Sequence, residues 1–211
     1  MMRLRESVPA ALRDTRGTTI LEFAIIAPVM CMMMMGLGDL TYQVYAREIL
    51  SGSIQKAARD AAIQGGAQMT AEIDDRVATT MSDIMTKPTA SCATAPAAGT
   101  YCATRTSYAM FASAGPEPFD DTNGNNQRDA TECYQDMNDN NSWDSVAGTG
   151  TSGQGGASDV TLYTIRVTYG RLFPLAGLLG WSSNATISAQ TLLKNQPFAS
   201  RTEPTVTTRC T

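Results

Sequence analysis

From Ile20 to Leu37 the chain reads ILEFAIIAPVMCMMMMGL, with one charged position. As a helix, Ile20–Leu40 would span roughly 31 Å, about one bilayer core. After Leu40 the pattern turns amphipathic. Tyr42, Tyr45, Ile49, Leu50, Ile54, Ala57, Ala58 and Ala61 recur at helical spacing, and Arg47, Glu48, Gln55, Lys56, Arg59 and Asp60 supply the wet face. Gly65-Gly66 predicts a break. Met69, Ile73, Val77, Met81 and Ile84 then form a second stripe, which stops before Lys87-Pro88.

Beyond that point the period changes. Residues 88–118, rich in Thr, Ala, Ser and Pro, read as irregular structure with a short strand around Ser107–Phe111. Gly148–Ser158 reads as a flexible loop. Asp159–Tyr169 alternates, with Tyr163, Ile165, Val167 and Tyr169 on one face and Thr164, Arg166 and Thr168 on the other. Asn184–Leu193 is a second alternating strand, with Ala185, Ile187 and Ala189 sharing a face. Between them Arg171–Trp181 (RLFPLAGLLGW) is apolar but too short to span a bilayer as a helix. It reads as a buried loop, a membrane-surface contact or a partner-binding patch. Two strands joined by about a dozen residues suggest an antiparallel sheet. The expected class is α+β: a long N-terminal helix packed on a small antiparallel sheet, with a long acidic loop inserted.

Charge sharpens the first element. Residues 1–17 hold four arginines against Glu6 and Asp14, and no further arginine occurs until Arg47. The positive-inside rule places residues 1–17 in the cytoplasm and everything after Leu40 outside. The one charge inside the run is Glu22, which at bilayer depth would cost ~2.5 kcal/mol or more unless paired or near the interface. Cleavage after Gly17 would make Thr18 a cationic amino terminus and Glu22 the fifth residue. A carboxylate there can pair with the amino terminus of a neighbouring subunit.

A short basic leader ending in Gly, followed by an apolar helix with Glu at its fifth position, resembles the type IV prepilin pattern. The run RGTTILEFAIIAPVMCMMMMGLGDLTYQVYAREIL is similar, more narrowly, to the TadE-like pseudopilins of tight-adherence (Flp) pilus systems, with Gly17, Glu22, Phe23 and Pro28 at the matching places. The resemblance implies cleavage by a prepilin peptidase, residence in the inner membrane, and pilins or other pseudopilins as partners. It also implies the general pilin plan, a helix packed on a small antiparallel sheet. A plain signal anchor would have no need of Gly17 five residues before Glu22. A secretory signal peptide would want a small-residue cleavage site where Gly36-Leu37-Gly38-Asp39-Leu40-Thr41 stands. Cys31 and the methionines after it point around a helix rather than to one side, so they make a poor copper site.

Residues 117–144 carry eight acids against Arg128 and repeat themselves at a period of 15. Glu117–Asp129 aligns with Glu132–Asp144 at six identical positions, and Phe119 falls on Tyr134. Both copies read D-x-N-x-N-x-x-x-D. Calcium takes six to eight oxygens from a flexible loop. In the first copy these would come from Asp121, Asn123, Asn125, the Gln127 carbonyl and Asp129, with Glu132 at position 12 closing the sphere. In the second they would come from Asp136, Asn138, Asn140, the Ser142 carbonyl and Asp144. Position 12 there is Ala147, which leaves the set incomplete. The loops resemble dockerin and thrombospondin type 3 calcium loops. The usual position-6 glycine is Asn126 or Asn141, which tolerates the left-handed conformation. The other reading is an acidic surface loop without an ion.

Four of five cysteines, Cys92, Cys102, Cys133 and Cys210, follow the apolar run, as an oxidising compartment and two disulfides would have it. Three pairings are possible. A short turn-rich loop favours Cys92–Cys102, which leaves Cys133–Cys210. The chain has no histidine, which excludes Ser-His-Asp and Cys-His catalysis within it. A net charge of -4 argues against nucleic acid. The expected organisation is a cytoplasmic leader (1–17), a transmembrane helix (18–40) and a periplasmic pilin-like domain (41–211) containing the duplicated loop (117–147). The expected role is a non-catalytic minor pilin-like component of a tight-adherence pilus. The alternative is a membrane-anchored calcium-dependent adhesin or binding module that enters no pilus. An anchored enzyme working through the acidic cluster lacks a nucleophile or a matched acid–base pair.

Overall fold

The computed structural model describes residues 18–63, 65, 66, 68–146, 148, 150–178, 180–200 and 205–210. Residues 1–17, expected to form the leader and to end in Gly17, and Ala147 lie outside the described residues.

The apolar run and the amphipathic stretch form one continuous helix, α1, Thr18–Ala62. Pro28 sits inside it. α1 is long and apolar enough to cross a membrane. By internal contacts the chain divides into two units, one of residues 1–42 and 171–183, the other of residues 43–170 and 184–211.

In the first unit the apolar side chains of α1 are outward. Ile20, Leu21, Phe23, Ile25, Ile26, Met33, Met34 and Leu37 are all exposed. Residues 171–183 include one short helical turn, α3, Leu175–Leu178.

The second unit has a conventional core. The C-terminal part of α1 buries Ala46, Leu50, Ile54, Ala57, Ala58 and Ala61. The stripe therefore begins at Ala46. Tyr45, expected on it, is exposed. The chain breaks at Gly65-Gly66, and α2 (Thr70–Met81) buries Ile73, Val77, Ala78 and Met81. These helices pack on a five-stranded sheet of β1 (Thr89–Ala90), β2 (Thr100–Tyr108), β4 (Thr151–Ser152), β5 (Val160–Gly170) and β6 (Asn184–Lys194). The path runs β1-β2-β5-β6, with β4 pairing β2. The pairs are antiparallel except β1–β2, which is parallel, so the sheet is mixed. Tyr163, Ile165 and Val167 from β5 and Ala185, Ile187 and Ala189 from β6 face the core, as their alternation predicts.

Two expectations change. The irregular stretch 88–118 contains the nine-residue strand β2, which starts well before Ser107 and ends at Tyr108. Its sequence, TYCATRTSY, has a polar inward residue, Arg105, whose guanidinium forks onto Asp74 of α2 at 3.0 and 2.5 Å. Tyr163 donates its hydroxyl to the same carboxylate, and Arg105 stacks on the Tyr163 ring at 4.1 Å. Burial, then the Asp74 carboxylate, pushes the Tyr163 phenol above its usual range. The loop expected to be flexible carries β4 and a buried amide network. Gln154 donates to the Ala61 carbonyl and to Asn195, and Asn195 donates back to the Gln154 carbonyl. At Gly155 (φ 73°) a Cβ would come within 2.6 Å of Ser107 Cβ, so the loop seats on β2 only through a glycine.

Cys92 pairs with Cys102 and Cys133 with Cys210; Cys31 is free. The second disulfide joins the acidic segment to the C-terminal strand β7 (Thr207–Arg209), which pairs antiparallel with β3 (Tyr134–Asp136).

Candidate functional site

Two features carry the chemistry, one in each unit. The first is the start of α1. Thr18 is its first residue and Glu22 lies on its exposed surface. Among the positions expected to matter for processing, Gly17 lies outside the described residues.

The second is the acidic repeat. Each copy folds as a loop of Asx turns. In the first, Asp121 accepts from the N–H groups of Gly124 (2.7 Å), Asn125 (3.1 Å) and Asn126 (2.8 Å). Asn123 Oδ1 accepts from Asn125 N–H and Asn125 Oδ1 from Gln127 N–H. In the second, Asp136 accepts from Asn140 (3.2 Å) and Asn141 (2.9 Å), Asn138 Oδ1 from Asn140 N–H, and Asn140 Oδ1 from Ser142 N–H. Position 6 is left-handed in both, with φ 57° at Asn126 and 62° at Asn141. Asparagine there does what glycine does elsewhere.

Three side chains converge in each loop. Asn123 and Asn125 both direct their amide groups at Asp129 Oδ2 (2.6 and 3.0 Å). Asn138 and Asn140 do the same at Asp144 Oδ2 (2.8 and 2.7 Å). To turn oxygens towards a cation, these amides would have to give up the backbone N–H groups that their Oδ1 atoms now accept. As they stand, the described residues contain no group of three or more Asp, Glu, Cys or His side chains gathered as a metal site.

Glu132, expected at the position that closes the first loop's sphere, also holds that loop's backbone. It is buried, and its carboxylate accepts from Thr122 N–H and Oγ1 and from Asp129 N–H. Fifteen residues earlier, Glu117 is equally buried and accepts from Met137 N–H and Asp144 N–H. Thr122 and Met137 are equivalent positions of the repeat, and so are Asp129 and Asp144. Each glutamate therefore braces the loop of the other copy. The second loop does not lack a partner for want of an acid at Ala147: Glu117 serves it.

The exchange extends to the frame. Phe119 and Tyr134, equivalent aromatics, form an isolated antiparallel bridge. Asp120 N–H donates to the Cys133 carbonyl and Gln135 N–H to the Pro118 carbonyl, again equivalent pairs. At the eighth loop position, Arg128 lies over Tyr134, and Trp143 meets Phe119 edge-on while donating to the Glu117 carbonyl. The two copies thus form one unit with an approximate twofold axis through the Phe119–Tyr134 bridge. Sequence reading found the period. It missed the reciprocity, whose only signal is that each loop is preceded by a glutamate four residues upstream.

The axis is broken in one place. Arg209 of β7 donates Nε to Asp136 and Nη2 to Asp139, both at 2.5 Å. The second loop thus carries a cation of its own. Electrostatics follow the bonding. The N–H of Asp129, against desolvation, and then the Thr122 groups hold the Glu132 carboxyl below its ordinary range. At Asp136 burial pushes upward, but the Asn141 N–H, Arg209 and the Asn140 and Asp139 N–H groups outweigh it, and the net direction is down.

A family model described as TadE-like protein matches residues 17–62. The match covers α1 from end to end together with Gly17. No curated protein and no solved structure matches the chain. A TadE-like match on an apolar N-terminal helix fits a membrane-anchored component associated with a tight-adherence pilus.

Proposed function

We propose that the chain is a minor pilin-like (pseudopilin) structural or assembly component of a tight-adherence pilus. The observation that carries this is the coincidence of the TadE-like match with a single unbroken helix whose apolar part holds one charge, Glu22, at a fixed distance from Gly17. Prepilin peptidase cleaves after Gly17 on the cytoplasmic face and leaves Thr18 as the amino terminus. α1 then holds the protein in the inner membrane with the remainder in the periplasm, the orientation favoured by the arginines of residues 1–17. Glu22 pairs with the amino terminus of a neighbouring pilin or pseudopilin, which offsets its desolvation. Nothing in this role requires catalysis.

The test is the amino terminus of the protein recovered from membranes of strains with and without the cognate peptidase. The expected outcome is a start at Thr18 that depends on the peptidase. A start at Met1 or Met2 in both strains would leave an uncleaved anchor, and the adhesin reading would replace this one.

The loop pair supports a second element of the proposal, a calcium ion held by the first loop. Asp121, Asn123, Asn125, Asp129 and the Gln127 carbonyl would hold it, and the ion would stiffen the loop against a partner. Arg209 already pairs with Asp136, a ligand position of the second loop, so the first is the stronger site. Millimolar calcium should protect residues 117–144 from protease, and chelator should remove the protection. Identical digestion in both would dismiss the ion.

A further inference from the structure

Residues 171–183, which connect β5 to β6, carry a surface that the proposed function does not use. The loop is closed on itself. Arg171 N–H donates to the Ser183 carbonyl, Arg171 Nε to the Ser182 carbonyl, and Trp181 N–H to the Ala176 carbonyl at 2.7 Å. It is fastened to α1 at two points. Arg171 Nη1 lies 2.5 Å from Asp39 Oδ2, an ion pair of which both partners are largely buried. One turn of packing joins it: a Cβ at Gly38 would stand 3.0 Å from the Phe173 ring, and one at Gly36 3.9 Å from Leu175. The glycines of α1 let the loop lie directly on the helix backbone.

Three large apolar side chains of the loop point outward. Leu172, Leu178 and Trp181 are 54, 76 and 66 % exposed, and Leu37 and Leu40 of the helix beside it are exposed as well. After Arg171 no charged residue occurs up to Ser183, and Arg171 is already neutralised by Asp39. The seat is defined along the helix. From Thr18 to Gly38 is about 30 Å at the α-helical rise, the thickness of a bilayer core. The loop therefore fastens where the apolar run ends and Asp39, the first charge after it, begins the wet half.

We propose that residues 171–183 form a second membrane contact, lying in the outer head-group region beside α1, with Trp181, Leu178 and Leu172 set into lipid. The inference rests on the reading of α1 as a membrane anchor. A bilayer that already covers the exposed face of α1 is continuous with the loop's apolar surface. Tryptophan is the side chain suited to that depth, with a broad apolar ring and one polar N–H. The loop carries no unpaired charge to desolvate. The Arg171–Asp39 pair would fix the loop to the helix, so that the two enter the membrane boundary as one body and the helix is held against rotation.

The test uses the full chain in phosphatidylcholine–phosphatidylglycerol vesicles carrying bromines at a shallow or a deep acyl position. Trp143 is the other tryptophan, so the Trp181 signal is the difference between the wild type and Trp181→Phe. A nitroxide on Cys31, the free thiol, reports α1 independently. The expected result is blue-shifted Trp181 emission that is lost most completely to shallow bromines, with the Cys31 label shielded from aqueous relaxing agent. A lipid-shielded Cys31 label with unquenched, water-like Trp181 emission would overturn the loop contact and leave the anchor standing. Blue-shifted but unquenched emission would also overturn it, by placing Trp181 against protein rather than lipid. A Cys31 label open to water would overturn the anchor reading and the loop contact with it.

Discussion

At the scale of single residues, the buried glutamates are the most informative. Glu117 lies next to the first acidic loop in sequence but bonds the second, and Glu132 does the reverse. Glu117→Ala should therefore expose the amides of Met137 and Asp144 to faster hydrogen exchange while leaving Thr122 and Asp129 protected. Glu132→Ala should give the mirror result. Leaving buried N–H groups unpaired costs about 1–3 kcal/mol, so Glu117→Ala should also lower the midpoint of chemical unfolding. If Glu117→Ala loosened the first loop instead, the reciprocal bonding would be wrong. The same carboxylates set an acid limit. The folded state holds Glu132 and Asp136 below their ordinary values, so it binds fewer protons there than the unfolded chain. Their contribution is fully present above the ordinary carboxylate range and is lost as pH falls through the lowered values. Exchange protection of the loop pair should accordingly hold at neutral pH and decline on acidification, in chelator as well as in calcium.

At the scale of elements, one buried cluster ties α2 to β2 and β5. Asp74 receives both arms of Arg105 and the Tyr163 hydroxyl. Asp74→Ala strands a guanidinium in the core and should destabilise the domain by about 3–5 kcal/mol. Replacing both partners, Asp74→Leu with Arg105→Met, should recover most of that loss, because an apolar pair of similar size has no charge to desolvate. Denaturant midpoints of the single and double variants decide it. The cluster also explains what the sequence concealed. The helices and strands β5 and β6 were legible because their periodicity comes from residues that bury themselves: Leu50, Ile54, Ile73, Val77, Ile165 and Ile187. β2 was not, because its inward Arg105 makes sense only beside Asp74, 31 residues earlier. The amide network of Gln154 and Asn195 was hidden for the same reason. The repeat at residues 117–144 was visible as a period, but the backbone N–H groups that each glutamate accepts from the other copy were not. Disulfide pairing was favoured by loop length. It sets a further expectation: Cys133→Ser with Cys210→Ser should release β7, and with it the Arg209 contact to Asp136. The change should appear as faster exchange in the second loop before the first.

At the scale of the whole molecule, Glu22 separates what the membrane requires from what assembly requires. A helix with eighteen or more apolar residues inserts without it, and replacing a carboxylate by a methyl group makes insertion no harder. If α1 were an anchor and nothing else, Glu22→Ala would be neutral or beneficial in every assay. In a pseudopilin, the carboxylate is the partner of a neighbouring amino terminus, and its loss leaves that cation unpaired in lipid. The variant should then reach the membrane at wild-type level and, since Gly17 is intact, should still begin at Thr18. It should fail to cross-link or co-purify with other pilus components, and surface pili should fall with it. Glu22→Asp keeps the charge but shortens its reach, and should restore assembly in part. Glu22→Gln keeps the shape and loses the charge, and should not. An equal yield of cross-linked complex from wild type, Glu22→Ala and Glu22→Gln would remove the charge pair from the mechanism. No co-purification with pilus components for any variant or for the wild type, together with a start at Met1 or Met2, would transfer the domain, its braced loops and its disulfides to a protein that binds at the cell surface without entering a pilus.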